Sequence, residues 1–273
     1  MISALLANPF LQMALLAGLA ASVTGGIIGS YVVVKRIVFI SGSIAHSVLG
    51  GMGFFLWLKR VHGISWLSPL QGALAAAVLS ALFIGWIHLK YKEREDTVIA
   101  ALWSTGMSIG VIFTALTPGY NVEMMNFLFG NILWVTRSDL LLLGGLDLFV
   151  IGVTALFHRR FLAICFDEKQ ALLQKIPTNS LYFLLLCLVA LSVVVLIQVV
   201  GAILVIAMLT IPAAIAGQFT HRLSAMMLIA IVLGWLFTAS GLAAAYALNW
   251  PPGATMSLAA ALAYSITLLG FKK

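Results

Sequence analysis

Residues 181–217 read LYFLLLCLVALSVVVLIQVVGAILVIAMLTIPAAIAG, with no charged side chain anywhere in the run. About 20 apolar residues suffice to cross the ~30 Å hydrocarbon core of a bilayer. The run is too long for one crossing, so it predicts two spans joined without a charged loop, with the break at Gln198 to Gly201. The rest of the chain follows the same pattern. Of its 273 residues, 63% are hydrophobic and 8% charged, against about 45–50% and 25% in a soluble domain; mean hydropathy is +1.13. Soluble, disordered and nucleic-acid-binding classes are excluded together. Dividing the sequence at charged or Pro/Gly-rich breaks gives spans near 12–34, 38–58, 66–89, 97–116, 139–157, 181–199, 201–217, 223–247 and 254–271. The predicted fold is an all-α polytopic membrane protein of eight to nine transmembrane helices, forming one transmembrane domain over residues 1–273.

The net charge of +7 comes from 15 Lys and Arg against 8 Asp and Glu, gathered between the apolar runs. There it fixes orientation and does not form a face that could neutralise phosphates. With the 90–94 connector inside, Lys35, Arg36, Lys90, Lys92, Arg94, Arg159, Arg160, Lys169, Lys175, Arg222, Lys272 and Lys273 are cytoplasmic, while Lys59, Arg60 and Arg137 are outside. The positive-inside rule selects that arrangement, with the N-terminus outside and the C-terminus cytoplasmic. The opening MISALLANPFLQM has no basic residue ahead of its apolar run, so the run is expected to stay as a span. Cys165, in a charged connector, and Cys187, in an apolar run, fit neither a disulfide framework nor a zinc motif and read as packing residues.

Two stretches do not read as spans. Between Thr117 and Asp139, the external connector carries an apolar piece, Met124 to Val135, too short to cross. It predicts a re-entrant or interfacial helix at about 122–137, lining a protein-bounded cavity or sitting in the aromatic belt with Phe127, Phe129 and Trp134. On the cytoplasmic side, residues 158–180 form the longest polar connector, HRRFLAICFDEKQALLQKIPTNS. Phe166, Ala171, Leu172, Leu173 and Ile176 are spaced as one face of a short amphipathic helix, which either docks in a groove on another protein or lies on lipid headgroups.

No GxxxxGK[ST], HExxH, GxSxG or CxxC occurs in the chain, so the sequence predicts no enzyme. The informative residues are polar ones inside spans, because hydrocarbon makes them costly. His46 lies in SGSIAHSVLGGMG, with Gly42 and Gly50 four residues either side on its own helix face and Gly53 beyond, a pattern that leaves space beside the imidazole. An imidazole facing a cavity binds transition metals. The alternative is helix packing, since Ser43, Ser47 and Gly51 make a small-residue stripe and His46 can hydrogen-bond a neighbouring helix. Asp147 is the one carboxylate well inside a span. It is either a pathway or ion-coupling group, or a structural partner for a Ser or Thr on another helix. Pro212, in LTIPAAIAG, removes a helical hydrogen bond and bends its span, and Gly18, Gly25, Gly26 and Gly29 thin the first span for close contacts.

Several of these stretches, taken in order, carry a resemblance: SIAHSVLGG around His46, EDTVIAALWSTGMSIG from Glu95, FLFGNILWVTRSDL from Phe127, CFDEKQALLQKIP from Cys165, VGAILVIAMLTIPAAIAGQFTHR from Val200, and LNWPPGAT near the end. Over nearly its whole length the sequence resembles the membrane permease subunits of bacterial ABC importers for zinc, manganese and iron. The resemblance implies a type II ABC importer-like permease in the bacterial inner membrane. Its implied partners are a second copy of itself, cytoplasmic ABC ATPase subunits and an extracytoplasmic metal-binding protein, besides membrane lipid and with no nucleic acid. It implies no resident cofactor; the divalent metal is cargo. His46 would be a transient neutral-imidazole ligand, since conduction needs binding weak enough to release. Asn131, Gly42 and Gly50 would line the pathway. Phe166, Asp167, Glu168, Lys169 and Ala171 would couple to the ATPase, with the charged members making charge-assisted hydrogen bonds.

The chain departs from the family it resembles at three places. Gly42 stands four positions before the histidine where the family often has an acid, Asn131 replaces the acid of LFGD, and Gly50 replaces a proline that often follows the histidine motif. Asp147 is the expected partial replacement for the missing carboxylate. The sparse acids leave two other transport readings open: a permease for a metal chelate or siderophore, and an ion-coupled secondary transporter in which Asp147 carries the proton.

Overall fold

The computed structural model describes residues 8–91, 95–119, 127, 130 and 132–270. Among them are ten α-helices, one short 3₁₀ turn at Ile132–Trp134 and no strand. The helices are α1 (Pro9–Val34), α2 (Val38–Val61), α3 (Pro69–Tyr91), α4 (Glu95–Ala115), α5 (Arg137–Phe166), α6 (Glu168–Leu173), α7 (Thr178–Val200), α8 (Ala202–Phe219), α9 (Leu223–Leu248) and α10 (Pro252–Gly270). Eight are long and apolar enough to cross a bilayer, namely α1 to α5, α7, α9 and α10, and α8 is apolar but shorter. The chain is an all-α polytopic membrane protein.

The long apolar run divides at a single residue. The Gly201 N–H donates to the Ile197 carbonyl at 2.8 Å, closing α7, and the Gly201 carbonyl accepts from Val205 N–H at 3.1 Å, opening α8. Gly201 has φ 85° and ψ 159°, a region that only glycine occupies readily. Gly201 thus has both its N–H and its carbonyl paired, one with each helix, and the chain passes from α7 to α8 without a polar loop.

The helices cluster into two compact units, each built from discontinuous segments: residues 1–36, 126–157 and 195–273, and residues 37–125 and 158–194. In the first, α1 packs against α8 and α9, and α10 against both of those. Pro212 sits inside α8 and has no N–H to offer the Met208 carbonyl one turn earlier. That carbonyl faces α1, its oxygen 3.2 Å from where a Cβ on Gly25 would lie, and the Leu209 carbonyl is closer still to Gly29. The glycines of the first span therefore give α1 room against carbonyls exposed around the proline. Ile215, Phe237 and Ala260 form a small apolar core between α8, α9 and α10.

In the second unit α2 packs between α3 and α4. Gly51 of α2 and Gly72 of α3 meet so closely that a Cβ on either would strike the other's carbonyl oxygen. The Ser43 hydroxyl donates to the Ile99 carbonyl on α4 at 3.0 Å, and the Ser80 hydroxyl of α3 donates to Ser47 at 2.8 Å. The stripe of Ser43, Ser47 and Gly51 is thus a packing face on both sides. Neither Cys165 nor Cys187 is in a disulfide.

α5 is longer than the 139–157 span and absorbs the start of the polar connector. Residues 158–166 hold no helix breaker, and Phe161 and Ile164 are buried three residues apart, so the helix continues on one packed face. At 30 residues it measures ~45 Å at 1.5 Å per residue, against ~30 Å of hydrocarbon. That is longer than an untilted crossing needs.

Candidate functional site

His46 is in the middle of α2, and its environment is set by α4. The indole of Trp103 stacks on the imidazole, with centroids 4.2 Å apart and planes 16° from parallel. His46 Nδ1 is buried and has no hydrogen-bond partner among the described residues. A buried nitrogen left unpaired in a membrane span is costly and calls for a ligand, ion or water. The space expected beside the imidazole is largely taken by α4. The ring of Trp103 lies 3.5 Å from a Cβ built on Gly42, and the Gly106 carbonyl oxygen lies 2.9 Å from one built on Gly50. The glycines remove side-chain bulk so that α4 can approach, which corrects the picture of an open flank along the whole face. Some space remains further along: α2, α3 and α4 border a cleft of about 290 Å³ whose lining includes Ser47, Gly50, Ser80 and Thr105. His46 is not among its lining residues.

Asp147 lies on α5, in the other compact unit. One carboxylate oxygen, Oδ1, accepts from the Thr24 hydroxyl at 2.5 Å and from the Thr24 backbone N–H at 3.2 Å. The hydrogen bond to a Thr on another helix is therefore present. Its partner was not singled out in the sequence, although Thr24 stands directly before the Gly25–Gly26 pair of α1. Among the described residues, no group of three His, Cys, Asp or Glu side chains is placed to hold a metal ion. Trp103 was also missed. The one available signal was a large aromatic ring in the otherwise small-residue stretch around it.

Much of the 122–137 segment, Asn131 included, lies outside the described residues. The described part is anchored in the first unit. Phe127, Ile132 and Val135 are buried, while the exposed Trp134 ring packs against Phe10 at 6.1 Å. Gly130, with φ 65°, is pressed against the Val200–Gly201 peptide at the α7–α8 break. α5 then starts with a reciprocal cap: Thr136 N–H and hydroxyl donate to Asp139 at 2.9 and 2.6 Å, and Asp139 N–H donates to Thr136 at 3.3 Å.

The 158–180 segment contains one short helix, α6. Asp167 is its N-cap, its side chain accepting from Gln170 N–H at 3.0 Å. The expected single apolar face is not what forms. Ala171 is 1% exposed, whereas Phe166, Leu172 and Leu173 are 65, 56 and 85% exposed. A helix this short has room for one anchoring contact, and the smallest apolar residue takes it. Ala171 therefore holds α6 in place, while Phe166, Leu172 and Leu173 form an exposed apolar surface, with Asp167 and Lys169 also exposed.

Comparison with known proteins agrees with this architecture along its length. The model of the ABC 3 transport family matches residues 7–270. A probable metal transport system membrane protein of Chlamydia pneumoniae is 49% identical, over 98% of this chain and 92% of its own length. The manganese transport system membrane protein MntC of Listeria monocytogenes is 31% identical, over 95% and 90%. Among solved structures, PsaBC from Streptococcus pneumoniae in complex with Fab superposes with a TM-score of 0.84 at 28% identity, covering 97% of this chain and 93% of that one.

Proposed function

Because the chain belongs to the ABC 3 transport family, we propose that it is the permease subunit of an ATP-driven importer for a divalent transition metal. Manganese is the favoured cargo, since relatives named as manganese transport proteins match nearly end to end; zinc and iron are the remaining candidates within the class. The observation in the site that carries this reading is the unpaired, buried Nδ1 of His46 inside a span. The imidazole is only half-buried and makes no hydrogen bond among the described residues, so a ring nitrogen is available to a passing cation, and a single neutral ligand binds weakly enough to let it go.

The protein's own residues divide the work as follows. His46 is a transient ligand, and Asp147, anchored to Thr24 through one oxygen, is a second polar group on the pathway. Asn131 and Gly50 line it. The end of α5 and the exposed apolar surface of α6 dock on a cytoplasmic ATPase that supplies the hydrolysis. A second copy of the chain completes the pathway, and an extracytoplasmic metal-binding protein delivers the ion. The membrane is the bacterial inner membrane, with the C-terminus cytoplasmic, as the distribution of basic residues requires.

The test is deletion of the gene and purification of the tagged chain from its own membrane. Loss of cellular manganese, zinc or iron, together with recovery of an ATPase in the purified complex, is the expected result. A chain that purifies without an ATPase, from cells whose metal content does not depend on it, would overturn the reading.

A further inference from the structure

We propose that Trp103 is a positioning residue for His46, holding the imidazole in the one orientation that presents it to the cargo ion. The inference rests on the reading of His46 as a pathway ligand. Histidine ligands are ordinarily oriented by a hydrogen bond from the second ring nitrogen to a carboxylate, carbonyl or water. No such bond is made here: the described residues give the His46 ring no hydrogen-bond partner, and Nδ1 is buried and unpaired. The contact that the structure does give the ring is the stack, at 4.2 Å and 16°. A near-parallel stack fixes the plane of an imidazole while leaving its in-plane lone pairs untouched.

The same indole extends one helical turn along α2. The atoms nearest a Cβ built on Gly42 are Cζ3 and Cη2 of Trp103, at 3.5 and 4.0 Å, with nothing else within 4 Å. Residues 42 and 46 lie on one face of the helix, so a single side chain covers both: one part of the indole against the imidazole, another over the bare backbone of Gly42. Gly42 and Trp103 are therefore complementary, since the indole lies over position 42 with room left for no more than a methyl group. The neighbouring contacts fix α4 in this register, through Ser43 on Ile99 and Gly106 against Ser47. Trp103 also narrows the ligand set. With the indole over position 42, the face next to His46 offers a cation one imidazole and no second side chain from that turn.

The experiment is uptake of radioactive manganese by cells lacking the native gene and carrying wild-type chain, Trp103→Ala, Trp103→Leu, Trp103→Phe or His46→Ala, with the amount of chain in the membrane measured for each. Trp103→Leu keeps most of the volume and loses the stack. KM is expected to rise roughly ten- to hundredfold in the Ala and Leu variants, the range seen when an outer-shell partner of a metal ligand is removed. Vmax per molecule should stay near wild type, and Trp103→Phe, which can still stack, should restore KM. A wild-type KM in Trp103→Leu, or a Phe variant no better than Leu, overturns the proposal, as does failure of both the Ala and Leu variants to accumulate, which would make Trp103 a folding residue. If His46→Ala abolishes uptake while Trp103→Leu behaves as wild type, only the positioning role falls. If His46→Ala transports normally, the pathway reading beneath it falls.

Discussion

Gly130 is pressed against the peptide that joins Val200 to Gly201, and both glycines hold left-handed backbone angles, φ 65° and 85°. A Cβ on Gly130 would come within 2.6 Å of the Gly201 nitrogen and closer still to the Val200 carbonyl. Gly130 thus lies on the break between α7 and α8, where an uncharged run passes from one helix to the next without a loop. Each glycine permits the other's geometry, since the Gly201 turn presents the peptide and Gly130 alone is small enough to lie on it.

Alanine at the two positions should act through different physics. Gly201→Ala carries backbone strain, about 1–3 kcal/mol for a residue held in that region. Gly130→Ala carries strain and a backbone collision, and should be the most damaging of the set. Gly63, at φ 68° with nothing within 4 Å, is the control, where Ala costs about 1–2 kcal/mol of strain alone. Thermal unfolding of the detergent-purified chains should rank Gly63→Ala mildest and Gly130→Ala worst; equal melting temperatures for those two would show that the Gly130 contact does not constrain the fold.

The bond between Asp147 and Thr24 separates a structural role from a pathway role. Asn at position 147 still accepts from the Thr24 hydroxyl but cannot carry charge. Asp147→Asn should therefore keep the melting temperature near wild type while lowering metal uptake, by roughly tenfold if the carboxylate tunes cargo affinity as outer groups do. Thr24→Val should do the reverse, costing about 0.6 and at most about 1.7 kcal/mol, the range for polar contacts between spans, with uptake little changed. Unchanged uptake in Asp147→Asn would remove Asp147 from the pathway and leave it as a helix tether.

The fold was legible in the sequence because burial in a membrane leaves few options: apolar runs become helices, and a run too long for one crossing must break where glycine permits. The break expected between Gln198 and Gly201 falls at Gly201, and of the two readings offered around His46 the packing stripe of Ser43, Ser47 and Gly51 is the one seen in helix contacts. What did not follow was whatever depends on which helices meet. His46 and its glycines could be found, but not Trp103, because nothing in a single sequence aligns residue 103 with residue 46. The same holds for Thr24 and Asp147, whose pairing spans the chain. The end of α5 was missed for a different reason. Charged residues mark the edge of hydrocarbon and not the end of a helix, so His158 to Arg160 suggested a loop where the backbone continues to Phe166.

At α6 the exposed and buried apolar residues should respond oppositely to change. Leu172 and Leu173 are exposed, so replacing both by Glu should alter melting by no more than about 0.5 kcal/mol per site and yet abolish recovery of the ATPase with the tagged chain. Ala171 is buried, and Ala171→Glu should destabilise the segment itself, seen as protease cleavage near residues 167–177 in chain purified alone. Retention of the ATPase by the Leu172→Glu, Leu173→Glu double variant would place the docking surface elsewhere.

Position 42 gives an independent handle on the stack, because the side chain there can be enlarged without substituting either ring. A methyl group on Gly42 meets the Trp103 ring at 3.5 Å, ordinary van der Waals contact, so Gly42→Ala should transport manganese with wild-type KM. A longer side chain has no such space over the indole and must turn it off the imidazole or be turned aside itself. Gly42→Leu should therefore reproduce the raised KM of Trp103→Leu, and the combination of the two changes should be no worse than either alone, since residues acting through one contact do not add. Additive losses in the double variant would mean that the two positions act on transport separately, and that Gly42 serves α2 by some route other than the seat it gives Trp103.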